Sequence, residues 1–386
     1  MLVRGGRLVD PASGIDALRD LRLSDRVLEI GEHLENHTQE EVVDAAGCTV
    51  APGFIDMHVH LREPGNPEKE TIASGTEAAV RGGFTAVACM PNTNPAIDDA
   101  AAVAALLDAC ARKARCRVYP IAALTLARAG RVPCDFLALA RAGAVAFSDD
   151  GAWVESEAVV LRAIDGARAL ATPFISHCEP EVQAIERDAE LARRSGRPWH
   201  IAHLSTREGL EMLQKARARG ARVTAEVTPH HLSLCDSDAV LRPSAQSNPP
   251  LRTADDVRAM RDAVRSGAID VLASDHAPHT AADKTAGAPG FTGLEVAVGA
   301  YAAALPDLPL PRFVELLSAN PARVLGVEGG TLKQGSRADL TIFREEWWRV
   351  DARTFASRGK TTPFDGVAFG RRAIATIVGG RVAYHA

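Results

Sequence analysis

Residues 53–60, GFIDMHVH, decide how the rest of the chain is interpreted. A short apolar run ends there in His58 and His60, which project to the same side of a strand. Seven more β-rich runs follow, each succeeded by a longer stretch rich in Ala, Leu, Glu and Arg. They are FTAVACM (84–90), RVYPIAAL (117–124), AVAFSDD (144–150), TPFISHCE (172–179), WHIAHLS (199–205), RVTAEVT (222–228) and IDVLASDH (269–276). Eight such units predict an α/β fold, a (β/α)8 TIM barrel.

The stretches between these runs predict helices. Several begin with Asp, Ser or Thr and end with Gly, as helix capping favours. The clearest examples cover residues 98–114, 156–170, 181–196, 207–220 and 254–267. The alternative is a doubly wound open sheet, which would place a Gly-rich phosphate loop after the first strand. GFIDMHVHLREPG is not such a loop, so the barrel is favoured.

The two ends of the chain differ from its middle. The first and last fifty residues consist of short apolar runs broken by turn signals, which indicates β-strands. We therefore expect residues 1–51 and 326–386 to form one small composite β-sandwich domain. Residues 52–325 would form the barrel domain between them.

Composition excludes several classes of protein. The chain has 386 residues with 46% hydrophobic and 24% charged side chains, values typical of soluble globular proteins. Its net charge of −5 gives no sign of nucleic-acid binding. Seven cysteines without a C-x-x-C pair favour reduced thiols. Because the sequence contains no signal-peptide pattern and no run that approaches a membrane span, we expect a cytoplasmic protein without membrane attachment.

Metal-ligand residue types stand at the ends of five predicted strands. A single histidine after an apolar run is usually an ordinary hydrogen-bonded residue, but here the whole set falls where a barrel brings strand ends together. Imidazole and carboxylate ligands suit Zn²⁺, and more ligands than one tetrahedral ion needs suit two metal ions. The set consists of His58, His60, an aspartate at Asp149 or Asp150, His177, His203 and Asp275.

Several motifs resemble those of dihydroorotases of the bacterial class I type, in the amidohydrolase superfamily. They occur in family order from about residue 51 to residue 295. They are APGFIDMHVHLREPG, ACMPNTNP, AFSDDG, ISHCE, IAHLST, AEVTPHHL, SNPPLR and SDHAPH. Hydantoinases and allantoinases share the H-x-H pair and the barrel. The H-x-H-L-R-E-P-G string, with Arg62 after the second histidine, is what we associate with dihydroorotases.

The resemblance implies a role for each matching residue. His58, His60 and Asp275 would hold one Zn²⁺, His177 and His203 a second, and an aspartate would bridge the two. Many relatives use a carbamylated lysine as the bridge, but no lysine lies between Lys113 and Lys215. Spacing to His177 favours Asp150 over Asp149. Asp275 would also be the catalytic proton carrier. The residues implied to bind a substrate carboxylate or other substrate atoms are Arg62, Asn92, Asn248 and His279.

The reaction implied is reversible opening of the cyclic amide of L-dihydroorotate to N-carbamoyl-L-aspartate, a step of pyrimidine synthesis. Two alternatives stay open. One is a related cyclic amidohydrolase acting on hydantoins or allantoin, against which Arg62 argues. The other is a catalytically silent partner subunit of aspartate transcarbamoylase, although such proteins usually lose metal ligands. The family also leads us to expect a homodimer.

Three features qualify the resemblance. The segment 178–202 is several turns shorter than the family pattern leads us to expect, although it still encodes one helix. Residues 245–247, AQS, stand where we expect a lysine close by. The compact Gly-rich loop DKTAGAPGFTGLE (283–295) is of a kind that closes over substrates. His230 and His231 are further histidines at a strand end, and we expect them to support the ligands or the fold.

Overall fold

The computed structural model describes residues 1–386, apart from the side chain of Pro243. Its strands are β1 (Leu2–Asp10), β2 (Ile15–Leu23), β3 (Val27–Gly31), β4 (Val42–Asp44), β5 (Thr49–Pro52), β6 (Phe54–Val59), β7 (Phe84–Cys89), β8 (Arg117–Ala122), β9 (Ala146–Phe147), β10 (Phe174–Ser176), β11 (Trp199–Ile201), β12 (Val223–Val227), β13 (Val271–Leu272), β14 (Leu340–Arg349), β15 (Ala368–Val378) and β16 (Arg381–His385). Strands β6–β13 pair in parallel in chain order, and each lies in one of the eight predicted runs. The predicted α/β barrel is confirmed.

The barrel closes between its first and last strands. Val59 forms an isolated parallel bridge with His276, and the amide of His60 donates to the carbonyl of His276 at 2.9 Å. Closure brings the carboxyl ends of all eight strands to one rim. Any side chains that the sequence places at those ends therefore share one mouth.

Strand β6 is irregular just before its histidines. Ile55 and Met57 belong to the apolar cluster that fills the barrel, which strict alternation would continue at Val59. Instead the pairing register between β6 and β7 shifts between Asp56 and Val59. Such an irregularity re-aims side chains, and it directs His58 and His60 toward the barrel mouth.

Helices surround the barrel and contribute the core outside its strands. They are α1 (Ile72–Arg81), α2 (Ala100–Lys113), α3 (Phe136–Ala142), α4 (Glu157–Gly166), α5 (Glu181–Ser195), α6 (Arg207–Ala218), α7 (Pro229–Ser233), α8 (Asp236–Leu241), α9 (Ala254–Arg265), α10 (Ala281–Thr285), α11 (Ala297–Ala304), α12 (Leu310–Leu317) and α13 (Ala319–Leu325). The five clearest helix predictions are confirmed as α2, α4, α5, α6 and α9. Side-chain caps such as Asp99 and Thr253 accept amide protons at their first turns.

The terminal segments pair into one mixed sheet, in the order β16-β15-β14-β5-β1-β2-β3, with β4 beside β1. The two ends of the chain meet where β5 runs antiparallel to β14. A separate apolar cluster is formed by both halves of this sheet, including Leu8, Val27 and Ile377. An isolated bridge from Arg26 to Arg337 shows that the sheet curls around this cluster. The small composite β-unit is confirmed, as one continuous sheet.

The boundaries of the two units, 1–51 with 326–386 and 52–325, stay a prediction. The shortened segment 178–202 contains helix α5, strand β11 and brief connections, so the expected βα unit is present. In the described chain, none of the helices combines the length and the apolar character needed to cross a lipid bilayer.

Candidate metal centre

The rim of the barrel brings the predicted metal ligands together. Two groups of side chains have ligand atoms within 4.8 Å of one another, and Asp150 belongs to both. The first contains His58 and His60, and the second contains His177 and His203. All five side chains are buried, with exposed fractions of 5% or less. The first and last of these residues, His58 and His203, are 145 positions apart in the chain, yet they belong to one centre.

Asp150 lies at the middle of this centre. Its Oδ1 atom is 3.3 Å from His58 Nε2 and 3.6 Å from His177 Nδ1. Nε2 of His203 lies 2.9 Å from the same nitrogen of His177. Asp275 completes the first group, since its Oδ1 atom lies 3.4 Å from His58 Nε2 and 3.1 Å from His60 Nε2. The arrangement is two clusters that share one carboxylate.

Asp149, the alternative to Asp150, points away from the centre. Its Oδ1 atom accepts the backbone amides of Leu124 and Thr125 at 2.9 and 3.0 Å, and its Oδ2 atom accepts the hydroxyl of Thr125. These bonds tie the end of β9 to the end of β8. Asp149 therefore braces two strands, and Asp150 faces the histidines.

The electrostatics of the centre are dominated by its carboxylates. Burial alone would raise the pKa of Asp150, but His58 and His177 reverse this and hold the pKa well below its usual range. Burial lowers the pKa of His58, yet the three surrounding carboxylates outweigh it and raise the pKa well above its usual value. By contrast, burial and the neighbouring imidazoles hold the pKa of His203 well below its usual value. Buried negative charge of this kind is what a cation compensates.

The donor set fits a metal ion. His58 Nε2 and Asp150 Oδ1 are buried and lack a hydrogen-bond partner among the described residues, although they lie 3.3 Å apart. A cation held by both atoms would satisfy both. Imidazole nitrogens combined with carboxylate oxygens match the preferences of Zn²⁺ and similar ions.

A cavity of about 210 Å³ opens beside these ligands. Its walls include every residue that the sequence assigned to substrate binding, namely Arg62, Asn92, Asn248 and His279. Arg62 Nε donates to the carbonyl of Pro278 at 3.2 Å, and its Nη2 lies 3.3 Å from His279 Nε2. The cavity therefore combines a guanidinium with the metal-ligand cluster, as recognition of a carboxylate requires.

Asn92 has a second set of contacts. Its Oδ1 lies 2.8 Å from His60 Nδ1, and its Nδ2 donates to Asp150 Oδ2 at 3.3 Å. The side chain therefore joins two candidate metal ligands while it lines the cavity. This contact with His60 leaves the opposite ring nitrogen, Nε2, facing Asp275 and Asp150.

Three residues of the site have left-handed backbone conformations. The φ angles are 60° at Arg62, 33° at His203 and 47° at Asp275. Such conformations cost free energy for residues with a Cβ atom and persist only where surrounding contacts impose them. Their occurrence at one guanidinium and two candidate ligands indicates a site under functional constraint.

The comparisons with known proteins agree with this geometry. The model of the amidohydrolase family matches residues 49–383. The chain belongs to the amidohydrolase family. A dihydroorotase of Pelotomaculum thermopropionicum is 44% identical to it over 99% of this chain and 98% of the relative. A dihydroorotase of Geobacter metallireducens is 39% identical over 100% and 99% of the two chains. Within the amidohydrolases, the chain is thus a member of the dihydroorotase group.

Hydantoinases are among the solved structures that are similar to this amidohydrolase. The L-hydantoinase of Arthrobacter aurescens superposes with a TM-score of 0.89 at 24% identity, covering 99% of this chain and 95% of the other. The D-hydantoinase of Thermus sp. gives 0.89 at 22% identity, with 100% and 96% covered. At these identities the likeness establishes the shared fold alone.

The sequence analysis missed Glu226, a buried carboxylate at the end of β12. Its Oε1 atom is 2.6 Å from His58 Nδ1 and accepts the backbone amide of His203 at 3.2 Å. Its Oε2 atom lies 3.1 Å from Nε2 of a third histidine, His200. Burial opposes its ionisation, but His58 and His200 lower its pKa to about 2. The sequence did contain a feature that could have identified this residue, namely a glutamate inside the strand-forming run RVTAEVT.

Glu226 determines which ring nitrogen of His58 faces the candidate metal centre of this amidohydrolase. A carboxylate at Nδ1 favours a proton on that nitrogen, so Nε2, which faces Asp150, is the atom that would bind a cation. Because the same carboxylate holds the backbone of His203, it orients one residue from each of the two ligand groups.

His230 and His231 lie outside both ligand groups. Nδ1 of His231 is 2.8 Å from the hydroxyl of Thr228, and the ring of His230 packs against Phe291 with centroids 4.8 Å apart. Burial is the main reason why the pKa of His231 falls to about 4. Their roles in support of the ligands or the fold stay a prediction.

Proposed function

We propose that this chain catalyses the reversible hydrolysis of L-dihydroorotate to N-carbamoyl-L-aspartate. The observation that carries the proposal is the single cavity in which Arg62 stands beside Asp150 and Asp275. Arg62 offers a planar pair of donors for the substrate carboxylate. The carboxylates and histidines beside it suit attack on an amide carbonyl. The dihydroorotases at about 40% identity over the full chain support the same activity.

The metal part of the proposal is two Zn²⁺ ions per subunit. His58, His60 and Asp275 would hold one ion, His177 and His203 the other, and Asp150 would contact both. When bound, such ions polarise a carbonyl oxygen and lower the pKa of water toward 7. Support comes from the two ligand groups that share Asp150.

Asp275 is proposed as the proton carrier of the reaction. Its carboxylate lines the cavity, within 3.4 Å of both histidines of the first group. It would accept a proton from the water that attacks the ring carbonyl. It would then deliver that proton to the ring nitrogen as the C–N bond breaks, which leaves a ureido NH2 group and a carboxyl group that loses its remaining proton to solvent. Reversal follows the same path, with the ureido nitrogen attacking the protonated carboxyl group and water leaving.

The remaining cavity residues would hold the substrate. Arg62 and His279 share one edge of the cavity, and Asn92 and Asn248 contribute amides elsewhere in its wall. Burial and Arg62 lower the pKa of His279 to about 4, so its ring is neutral near pH 7. The guanidinium of Arg62 therefore provides the positive charge that faces the substrate carboxylate.

The cellular setting is proposed on family grounds. The reaction would serve de novo synthesis of UMP in the cytoplasm, by a homodimer, with association with aspartate transcarbamoylase as a further possibility to test. Size-exclusion chromatography with light scattering, alone and with the transcarbamoylase, measures both assemblies directly.

A spectrophotometric assay of dihydroorotate turnover, with metal content measured on the same sample, tests the proposed activity. We expect ring opening with two equivalents of zinc. Hydantoin and allantoin serve as alternative substrates, and faster turnover of either would assign the chain to that activity instead. If the purified protein contained no metal and did not open the ring after zinc was added, the alternative of a catalytically silent partner subunit would be favoured. Full turnover at one equivalent of zinc would contradict the two-metal proposal.

A further inference from the structure

Lys284 is a buried ammonium whose hydrogen-bond partners are backbone carbonyls. It lies on α10 and exposes 9% of its surface. Its Nζ donates to the carbonyls of Ala288 at 2.7 Å, Gly290 at 2.8 Å and Gln246 at 3.4 Å. An ammonium has three protons, and each therefore has an acceptor. Burial alone lowers the pKa of Lys284, to about 8, which agrees with a site that no carboxylate neutralises.

The three carbonyls belong to two different parts of the cavity wall. Ala288 and Gly290 lie on the loop after α10, and Gln246 lies two residues before Asn248. Pro289, Gly290 and Asn248 all line the cavity. The amide of Gly290 also donates to the carbonyl of Gln246 at 2.8 Å, directly beside the ammonium. Lys284 thus stands at the junction where the loop meets the segment that carries Asn248.

The rest of the loop is equally constrained by backbone bonds. The amides of Gly287 and Ala288 donate to the carbonyls of Lys284 and Asp283, each at 3.0 Å. At Gly290 the φ angle is 108°, and an added Cβ would lie 2.8 Å from the side chain of Ala277. The first two bonds fold the loop back onto the end of α10, and Gly290 lies close against Ala277, which also lines the cavity.

We propose that Lys284 is a positioning residue that fixes residues 286–290 against Gln246 as a permanent wall of the substrate cavity. The loop is then a preformed surface, and the closing lid that its Gly-rich sequence suggests is not needed. The inference rests on the proposed function in one respect only, which is the identity of the substrate that contacts this wall. Removing the ammonium would leave the carbonyls of Ala288 and Gly290 without this donor, and the loop would gain freedom that substrate binding must then remove.

Amide hydrogen exchange tests this wall without any reference to turnover. In the metal-loaded wild-type protein, we expect the amides of Gly287, Ala288 and Gly290 to exchange slowly. Addition of N-carbamoyl-L-aspartate should change their rates less than threefold. Rapid exchange in the free protein that becomes slow with this compound would describe a lid and overturn the proposal. This comparison needs no variant, so a folding defect cannot obscure it.

The variant Lys284→Met provides a second test of the proposal, by hydrogen exchange and steady-state kinetics. We expect about tenfold faster exchange of the same amides and about a tenfold higher KM for dihydroorotate, with kcat within threefold and metal content unchanged. Lys284→Arg, which keeps the charge and donors, should recover part of the loss. Lys69→Met is the matched control, because Lys69 pairs with Asp283 at 3.4 Å at the partly exposed rim. Wild-type exchange and KM in Lys284→Met would overturn the proposal. Wild-type protein without ring opening would instead count against the proposed function.

Discussion

The metal centre and the cavity mouth are built by different means, although they adjoin. The centre consists of side chains on or directly after barrel strands, and buried carboxylates such as Glu226 orient them. The mouth consists of loop residues held by backbone carbonyls, as Pro278 holds Arg62 and Gln246 helps hold Lys284. Strands fix ligand positions closely, whereas loops vary readily in length and sequence. We therefore expect the reaction to depend on the centre and substrate choice to depend on the mouth.

The strongest test of the centre compares two adjacent aspartates. Asp150→Asn should lose metal from both groups and abolish turnover, because it removes the charge that they share. Asp149→Asn should retain metal but lower the free energy of unfolding by about 1–3 kcal/mol, because it disturbs buried hydrogen bonds to β8. Metal analysis and denaturant titration measure the two effects. Loss of metal in Asp149→Asn with full occupancy in Asp150→Asn would reverse the assignment.

Asp275→Asn separates proton transfer from ligand binding within the centre. We expect kcat to fall about 10²–10⁴-fold, the range typical of a lost general acid–base group. Metal should be largely retained, since the asparagine oxygen can still act as a ligand. Steady-state kinetics and metal content on one preparation give both quantities. Turnover near the wild-type rate would remove Asp275 from the proposed mechanism.

Glu226→Gln tests whether the centre depends on the carboxylate behind it. An amide removes the charge beside Nδ1 of His58, so we expect metal affinity to fall about 10–100-fold. Competition with a chelator measures that affinity. Glu295→Gln is a matched control, since Glu295 is a largely buried carboxyl whose pKa burial raises to about 7 and which accepts the amide of Ala356 at 2.9 Å. Equal losses in both variants would indicate a general effect on folding.

Arg62→Met tests the mouth and should have the smallest effect on the centre. A charge-assisted hydrogen bond contributes about 1.5–3 kcal/mol, so KM should rise about 10–100-fold with metal content unchanged. The KM of Arg62→Lys should lie between those of the wild type and Arg62→Met, because lysine keeps the charge but lacks the planar pair of donors. A fall in kcat at constant KM would instead place Arg62 in the chemical step and weaken the division between mouth and centre.

The shortened segment 178–202 shows which part of the barrel tolerates loss. His177 and His203 flank it, and both still reach Asp150 or each other within 3.6 Å. The helix α5 that remains places Glu181 against the loop after His203, where its carboxylate accepts the amides of Ser205 and Thr206 at 3.0 and 2.8 Å. The short segment is therefore long enough to bring both candidate ligands to the centre.

The sequence by itself determined the barrel, its eight strands and the set of candidate metal ligands. Those properties follow from local patterns, because alternating apolar runs and capped helices specify strands and helices, and parallel strands of a barrel bring their carboxyl ends to one rim. The residues at those ends could therefore be identified without knowing any distance.

Spacing to His177 already favoured Asp150 over Asp149, but only the tertiary structure showed what Asp149 binds instead and revealed Glu226 and Lys284. Each depends on partners far away in the chain: Asp149 on Thr125, Glu226 on His58, and Lys284 on Gln246. The shift of register in β6 likewise depends on its pairing with β7. Sequence periodicity describes which side of an element a residue occupies, but hydrogen-bond partners across the fold decide which way a buried polar side chain turns.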